Sequence, residues 1–155
     1  MTGSRRRPIA RLVVVTVALG ASLLIPAGPA AAVPANVQAG LSLSPARAAV
    51  GTVVQVSATA TNLTDVTITQ VSMGVDVPPT LGYSALARPA QAVCRATFVT
   101  DHRLVYCSLH LAPHETATLG LTLRPTAAGT FTLKSYARQT YTNNDTFATA
   151  TLTMS

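Results

Sequence analysis

The chain has 155 residues, a formal net charge of +6 and a charged fraction of only 10%, against 48% hydrophobic residues. That length accommodates one domain of ordinary size with its own core and leaves no room for two. Arg5, Arg6, Arg7 and Arg11 supply much of the positive charge at the extreme N-terminus, and Arg47, Arg88, Arg95, Arg103, Arg124, Lys134 and Arg138 are scattered between apolar positions. A nucleic-acid surface needs its basic groups clustered, so that class is set aside.

The first element is a leader. Its arginines precede an apolar run from Leu12 to Ile25, then Pro26, Gly28, Pro29 and Ala30-Ala31-Ala32. A basic start, an apolar stretch too short to span a bilayer comfortably and small residues before a cleavage point are the three parts of a secretory signal peptide. Cleavage after Ala32 divides the chain into a signal peptide, residues 1–32, and a single domain, residues 33–155. The Ser4-Arg5-Arg6-Arg7 run also approaches a twin-arginine export signal, with Pro8 where that motif carries an aromatic. Beyond the leader no apolar run reaches membrane length, no cysteine near the cleavage point could accept a lipid, and no anchor tail follows Met154. The expected product is secreted, extracellular or held in the cell envelope, with no stable membrane insertion after processing.

The rest of the chain reads as strands. Val54, Val56, Ala58 and Ala60 alternate with Gln55, Ser57, Thr59 and Thr61, and side chains two apart on a strand share a face. From Val66 and Ile68 to Val71, Met73, Val75 and Val77 the apolar phase slips by one, which predicts an extra residue near Gln70 as a bulge or at a hairpin end. Cys94 to Phe98 and Leu104 to Leu109 form a hairpin around Thr100-Asp101-His102. Val105, Cys107, Leu109 and Leu111 mark one face, and Ala117, Leu119, Leu121 and Leu123 another. Phe131, Leu133 and Ala137, then Ala148, Ala150, Leu152 and Met154, mark the last two. Threonine crowds the polar phase, where β-branching suits a pleated surface. Pro45, Pro78-Pro79, Pro113, Pro125 to Gly129 and Asn143-Asn144-Asp145 supply turns. The class predicted is all-β, an antiparallel two-sheet sandwich of seven or eight strands.

Cys94 and Cys107 are the two cysteines, and the hairpin brings them close to opposite one another. In an oxidising compartment they should form a disulfide; two free thiols are the alternative, and the pair lacks the Cys-x-x-Cys spacing of redox motifs. Cys107, His110 and His114 resemble the ligand loop of a blue-copper sandwich. No histidine precedes them to act as the distant ligand, no methionine follows within the loop, and alternation puts Cys107 and His110 on opposite faces. No metal and no cofactor are expected. A hydrolase could draw on His102, His110 or His114 with Asp101 and a serine, but no Gly-x-Ser-x-Gly turn positions a nucleophile. Asp65, Asp76, Asp101, Glu115 and Asp145 are the whole carboxylate supply for glycoside chemistry, and most read as loop residues. No catalytic residue is expected. Tyr106 and Tyr136 fall on the outward phase and are the possible surface contacts for a partner. Asparagine-linked glycans are formally allowed at Asn62-Leu63-Thr64 and Asn144-Asp145-Thr146.

In order along the chain stand Asn62, a β-run into Val77-Pro78-x-x-Leu81, Cys94 and Cys107, Leu111-Ala112-Pro113-His114-Glu115, Arg124 through Thr130, Ala137 and Asn143-Asn144-Asp145. This order resembles the conserved-repeat domain of bacterial cell-surface proteins, the domain of unknown function numbered eleven (DUF11), an immunoglobulin-like relative of the CARDB adhesion modules. The family carries a glycine where this chain has His114, and its Leu-Pro-Ala-Gly turn appears here as Val77-Pro78-Pro79-Thr80. The resemblance implies an immunoglobulin-like sandwich without catalytic residues, used for spacing or adhesion at the bacterial surface. The expected function is a secreted, non-enzymatic module for envelope or extracellular interaction, with a cell-wall, glycan or protein partner. The alternatives are a structural or assembly spacer self-associating by edge strands and, further off, a secreted hydrolase or a copper-binding sandwich. Mass spectrometry of the protein from culture supernatant should find Val33 as the new N-terminus; recovery of the intact leader there would contradict processing at Ala32.

Overall fold

The computed structural model describes residues 35–142 and 144–155; the leader and its expected cleavage point at Ala32 lie outside the described residues. The strands are β1 (Val37–Ser44), β2 (Arg47–Ala48), β3 (Val54–Asn62), β4 (Ile68–Val77), β5 (Tyr83–Ala87), β6 (Val93–Val99), β7 (His102–Leu111), β8 (Thr116–Leu123), β9 (Gly129–Gln139) and β10 (Thr146–Met154). Among the described residues ten strands replace the expected seven or eight, because β1, β2 and β5 give no clean two-residue signal. β1 carries Ala39 and Gly40 in mid-run, β2 has two residues, and β5 is interrupted by a register shift between Tyr83 and Ala85.

A four-stranded sheet runs β1-β3-β8-β5 and faces a six-stranded sheet running β2-β10-β9-β4-β7-β6. All pairings are antiparallel except β2 with β10. The chain changes sheets between β1 and β2 at Pro45, which has no N–H to continue a ladder. Between the sheets lie the alternating sets read from sequence: Val54, Val56, Ala58 and Ala60 of β3, Leu119, Leu121 and Leu123 of β8, Val105, Cys107 and Leu111 of β7, and Leu133 and Leu152. Each fully buried aliphatic side chain stabilises by roughly 1.5–3 kcal/mol, so this interior supplies most of the favourable free energy. The phase slip in β4 is a bulge, with the register against β7 shifting between Ile68 and Val71.

The six-stranded sheet is the wider layer, and β6 lies at its margin. Ala96 and Phe98 point along the core phase of β6 yet are exposed, and Cys94 on the same phase is only half-buried. What ties β6 down is its ladder to β7 and the Cys94–Cys107 disulfide, formed between directly opposed residues, one of them fully buried. With a sequence separation of 13 between the linked positions, the chain-entropy account gives roughly 3 kcal/mol of stabilisation. Arg103 bridges this open side, its guanidinium 4.5 Å from the Phe98 ring centre and 5.2 Å from that of Tyr83.

At one end of the sandwich Asn62 is fully buried. Its Nδ2 lies 2.8 Å from the Val66 carbonyl, 3.2 Å from that of Leu111 and 2.8 Å from that of Ala112. Its Oδ1 accepts from the Thr64 N–H at 2.9 Å and the Thr64 hydroxyl at 2.8 Å. One side chain thus satisfies the polar groups of two loops that would otherwise be stranded against the core. The same burial closes Asn62 as a glycan acceptor in the folded chain. Nearby, His114 adopts a φ of 57°, in the left-handed region that glycine occupies freely and a histidine tolerates less well. Asn62→Ala should lower stability by about 2–4 kcal/mol, because it orphans buried carbonyls rather than removing one bond. Chemical denaturation reads this directly, and a loss under about 1 kcal/mol would show that water takes the amide's place.

Candidate functional site

The outer face of the six-stranded sheet gathers most of the chemistry of the chain. Registers across β10, β9, β4, β7 and β6 place Phe147 opposite Tyr136, Tyr136 opposite Gly74, Gly74 opposite Tyr106, and Tyr106 opposite Arg95. One row across five strands therefore carries three aromatic rings and a guanidinium, with a glycine at its centre. The two tyrosines expected as surface contacts are brought together by Gly74, two strand spacings apart, or about 9–10 Å between their backbones.

Gly74 is needed there. A Cβ at this position would sit 2.5 Å from Tyr136 Cε1 and 2.8 Å from the Val105 carbonyl oxygen. The Tyr136 ring therefore lies across the backbone of β4 instead of standing away from the sheet. Its hydroxyl is 3.4 Å from Ser72 Oγ. Burial pushes the Tyr136 phenol above its ordinary range, while the Ser72 hydrogen bond and the nearby Arg138 pull the other way.

Flanking rows are polar and charged. Lys134 lies opposite Asp76, and its ammonium is 3.9 Å from the Phe147 ring centre. Arg138 lies opposite Ser72, 3.9 Å from Asp145 and 5.9 Å from the Tyr136 ring centre. Shallow depressions run along the face and share walls: Ser108 and Thr140 belong to two of them, Tyr136 and Arg138 to another pair. At one end the rim carries Tyr141, 92% exposed, beside His110 and Gln70. At the other, His102 lies between Asp101 (Nδ1 to Oδ1, 2.9 Å) and Asp76 (Nε2 to Oδ1, 3.6 Å). The His102 hydrogen bond, with help from the backbone, holds the exposed Asp101 carboxyl below its ordinary range.

The other groups weighed from sequence are separated by the fold. Cys107 is buried and disulfide-bonded, His110 stands on the outer face, and His114 lies in the loop after β7 with Nε2 2.8 Å from Asp65 Oδ1. These three do not converge. Among the described residues, no group of three His, Cys, Asp or Glu side chains is arranged to hold a metal ion. Sequence reading found Tyr106 and Tyr136 by phase, but missed Gly74, Phe147, Arg95 and Arg138. Their significance comes from cross-strand registers, and only the isolated glycine inside an apolar strand pattern was a visible signal.

No family model matches the sequence, and no curated protein does. Among solved structures, the chain is similar to a cohesin module of a family 33 glycoside hydrolase from Clostridium perfringens, with a TM-score of 0.58 and 7% identity over 78% of this chain and 98% of that one. It is also similar to a CARDB domain from Pyrococcus furiosus solved in complex with di-metal ions, with a TM-score of 0.51 and 14% identity over 77% of this chain and 87% of that one. The class is thereby defined as an immunoglobulin-like β-sandwich of the kind seen in CARDB and cohesin modules. At these identities the likeness is one of fold.

The raised Tyr136 value has a definite sign. The folded state favours the neutral phenol, so the stability it contributes is complete below the ordinary tyrosine value of about 10 and is lost as pH rises through the higher folded value. Thermal melts taken from neutral pH upward should fall more steeply in the wild type than in Tyr136→Phe once pH exceeds about 10. Parallel curves would show that the ring is not sequestered over Gly74.

Proposed function

We propose that this chain is an exported, non-enzymatic interaction module of the cell envelope or extracellular space, and that it binds glycan through the outer face of its six-stranded sheet. The observation that carries the reading is the row of Phe147, Tyr136, Gly74, Tyr106 and Arg95. Sugars present apolar C–H faces that stack on aromatic rings, and hydroxyls that pair with guanidinium, hydroxyl and amide groups. Ser72, Ser108, Thr140 and Arg138 supply such groups beside the rings. A shallow, open face suits an extended polymer better than a small molecule, which needs an enclosing pocket.

Export is supported by the leader pattern and by the disulfide, which persists in oxidising surroundings. No helix among the described residues is long and apolar enough to cross a membrane. The absence of catalysis is supported by the separation of Cys107, His110 and His114. It is supported too by the hydrogen bonding of His102 and His114, which among the described residues involves aspartates and no nucleophile. The cohesin and CARDB likeness agrees with an interaction role, as does the sequence's resemblance to surface-protein repeats.

Sedimentation with insoluble cell-wall polysaccharide tests the reading. Wild type should be retained, Tyr106→Ala and Tyr136→Ala should each weaken retention about tenfold or more, and Gln38→Ala on the four-stranded sheet should leave it unchanged. No retention of the wild type, or equal retention of all variants, would refute the assignment of this face.

A further inference from the structure

A separate feature of the fold is the open edge of β6. The edges at β1, β2 and β5 are less suited to strand addition. Along β1, Thr146 Oγ1 accepts the Ala39 N–H at 2.9 Å and lies 3.0 Å from the Val37 carbonyl, and Ser135 Oγ donates to the Gly40 carbonyl at 3.0 Å. β2 offers two residues, and β5 is five residues long and bulged. β6 offers seven, with no proline and a single charge, Arg95. It also exposes Val93 (64%), Phe98 (70%) and Val99 (38%). A long, largely apolar edge with a single charge and no bulge invites pairing.

We infer that β6 is a pre-organised docking strand for a second copy of this chain, forming a two-fold antiparallel pair centred on Ala96. Cys94 and Cys107 oppose each other at a Cα separation of 4.0 Å, the close spacing of a non-hydrogen-bonded pair. The N–H and C=O of Cys94, and by alternation those of Ala96 and Phe98, therefore point away from β7 toward the open edge. A two-fold axis through Ala96 lets the two copies of that residue exchange both of their backbone hydrogen bonds. Cys94 then faces the copy's Phe98, Val93 faces Val99, and Arg95 faces Thr97, so no charge meets its like. Because the two-fold uses the same edge of both chains, the pairing closes at two chains instead of running on into a fibre. The disulfide explains how a strand with so little core beneath it stays straight enough to serve.

Analytical ultracentrifugation of residues 33–155, which fall within one compact unit (Ala32–Ser155), tests this across a concentration series. The expected result is a reversible monomer–dimer equilibrium with no larger species. Ala96→Pro removes an outward donor without touching the β7 ladder and should abolish the dimer. Thr97 is exposed, so its replacement leaves folding intact. Thr97→Glu should tighten the dimer and Thr97→Arg should loosen it, each by about three- to tenfold, because the two-fold repeats the contact with Arg95 twice. A monomer at every concentration, open-ended oligomers, or Thr97 variants that shift the equilibrium in the same direction would overturn the inference.

Discussion

A strand can hide only one of its two faces against a single opposing layer, and the whole architecture follows from how this chain meets that limit. Its apolar residues recur every second position, so two sheets must close on each other to remove them from water. The layers are unequal, six strands over four, and the surplus width lies partly beyond the shared interior. Four strands flanked on both sides, β3, β4, β7 and β8, are the most apolar on the inward phase. Those at the margins depend on other attachments: a disulfide for β6, and threonine and serine side chains from the facing sheet for β1. Inside this arrangement Asn62 is a polar exception, tolerable because each side-chain atom able to hydrogen-bond has a partner.

The face argued to bind is a by-product of the same packing. β4 sits at the centre of its sheet, and its outer side would ordinarily be screened by its own side chains. Gly74 removes that screen and lets Tyr136 lie down over the backbone. The ring thereby occupies the place of the missing side chain and presents a flat aromatic surface level with its neighbours. Charges gather at this surface, Lys134 against the Phe147 ring and Arg138 between Asp145 and the Tyr136 ring.

Much of this was legible from the residues alone, for a physical reason. Alternation is local, so the inward sets of β3, β7 and β8, the slip near Gln70 and the opposition of Cys94 to Cys107 could be read within a few residues of each other. Pairing between distant strands is not local. Nothing near Phe147 announces that it will stand beside Tyr136, and nothing near Gly74 announces two flanking tyrosines. The strands that escaped notice were those with the weakest periodic signal, β1, β2 and β5. Asn62 illustrates the opposite hazard. Its surroundings spell a glycan acceptor, while the fold turns the same amide inward to hold two loops. The histidine and cysteine cluster suggested by spacing dissolved for the reason alternation gave: Cys107 and His110 point to opposite sides of one strand.

The attachment of β6 makes its order sensitive to redox surroundings. With the thiols reduced, this margin is held by its β7 ladder alone and can fray while the interior remains intact. Oxidation locks it flat. In reducing surroundings the chain would thus carry a softened border that stiffens on oxidation, and the proposed pairing of copies would follow the same change.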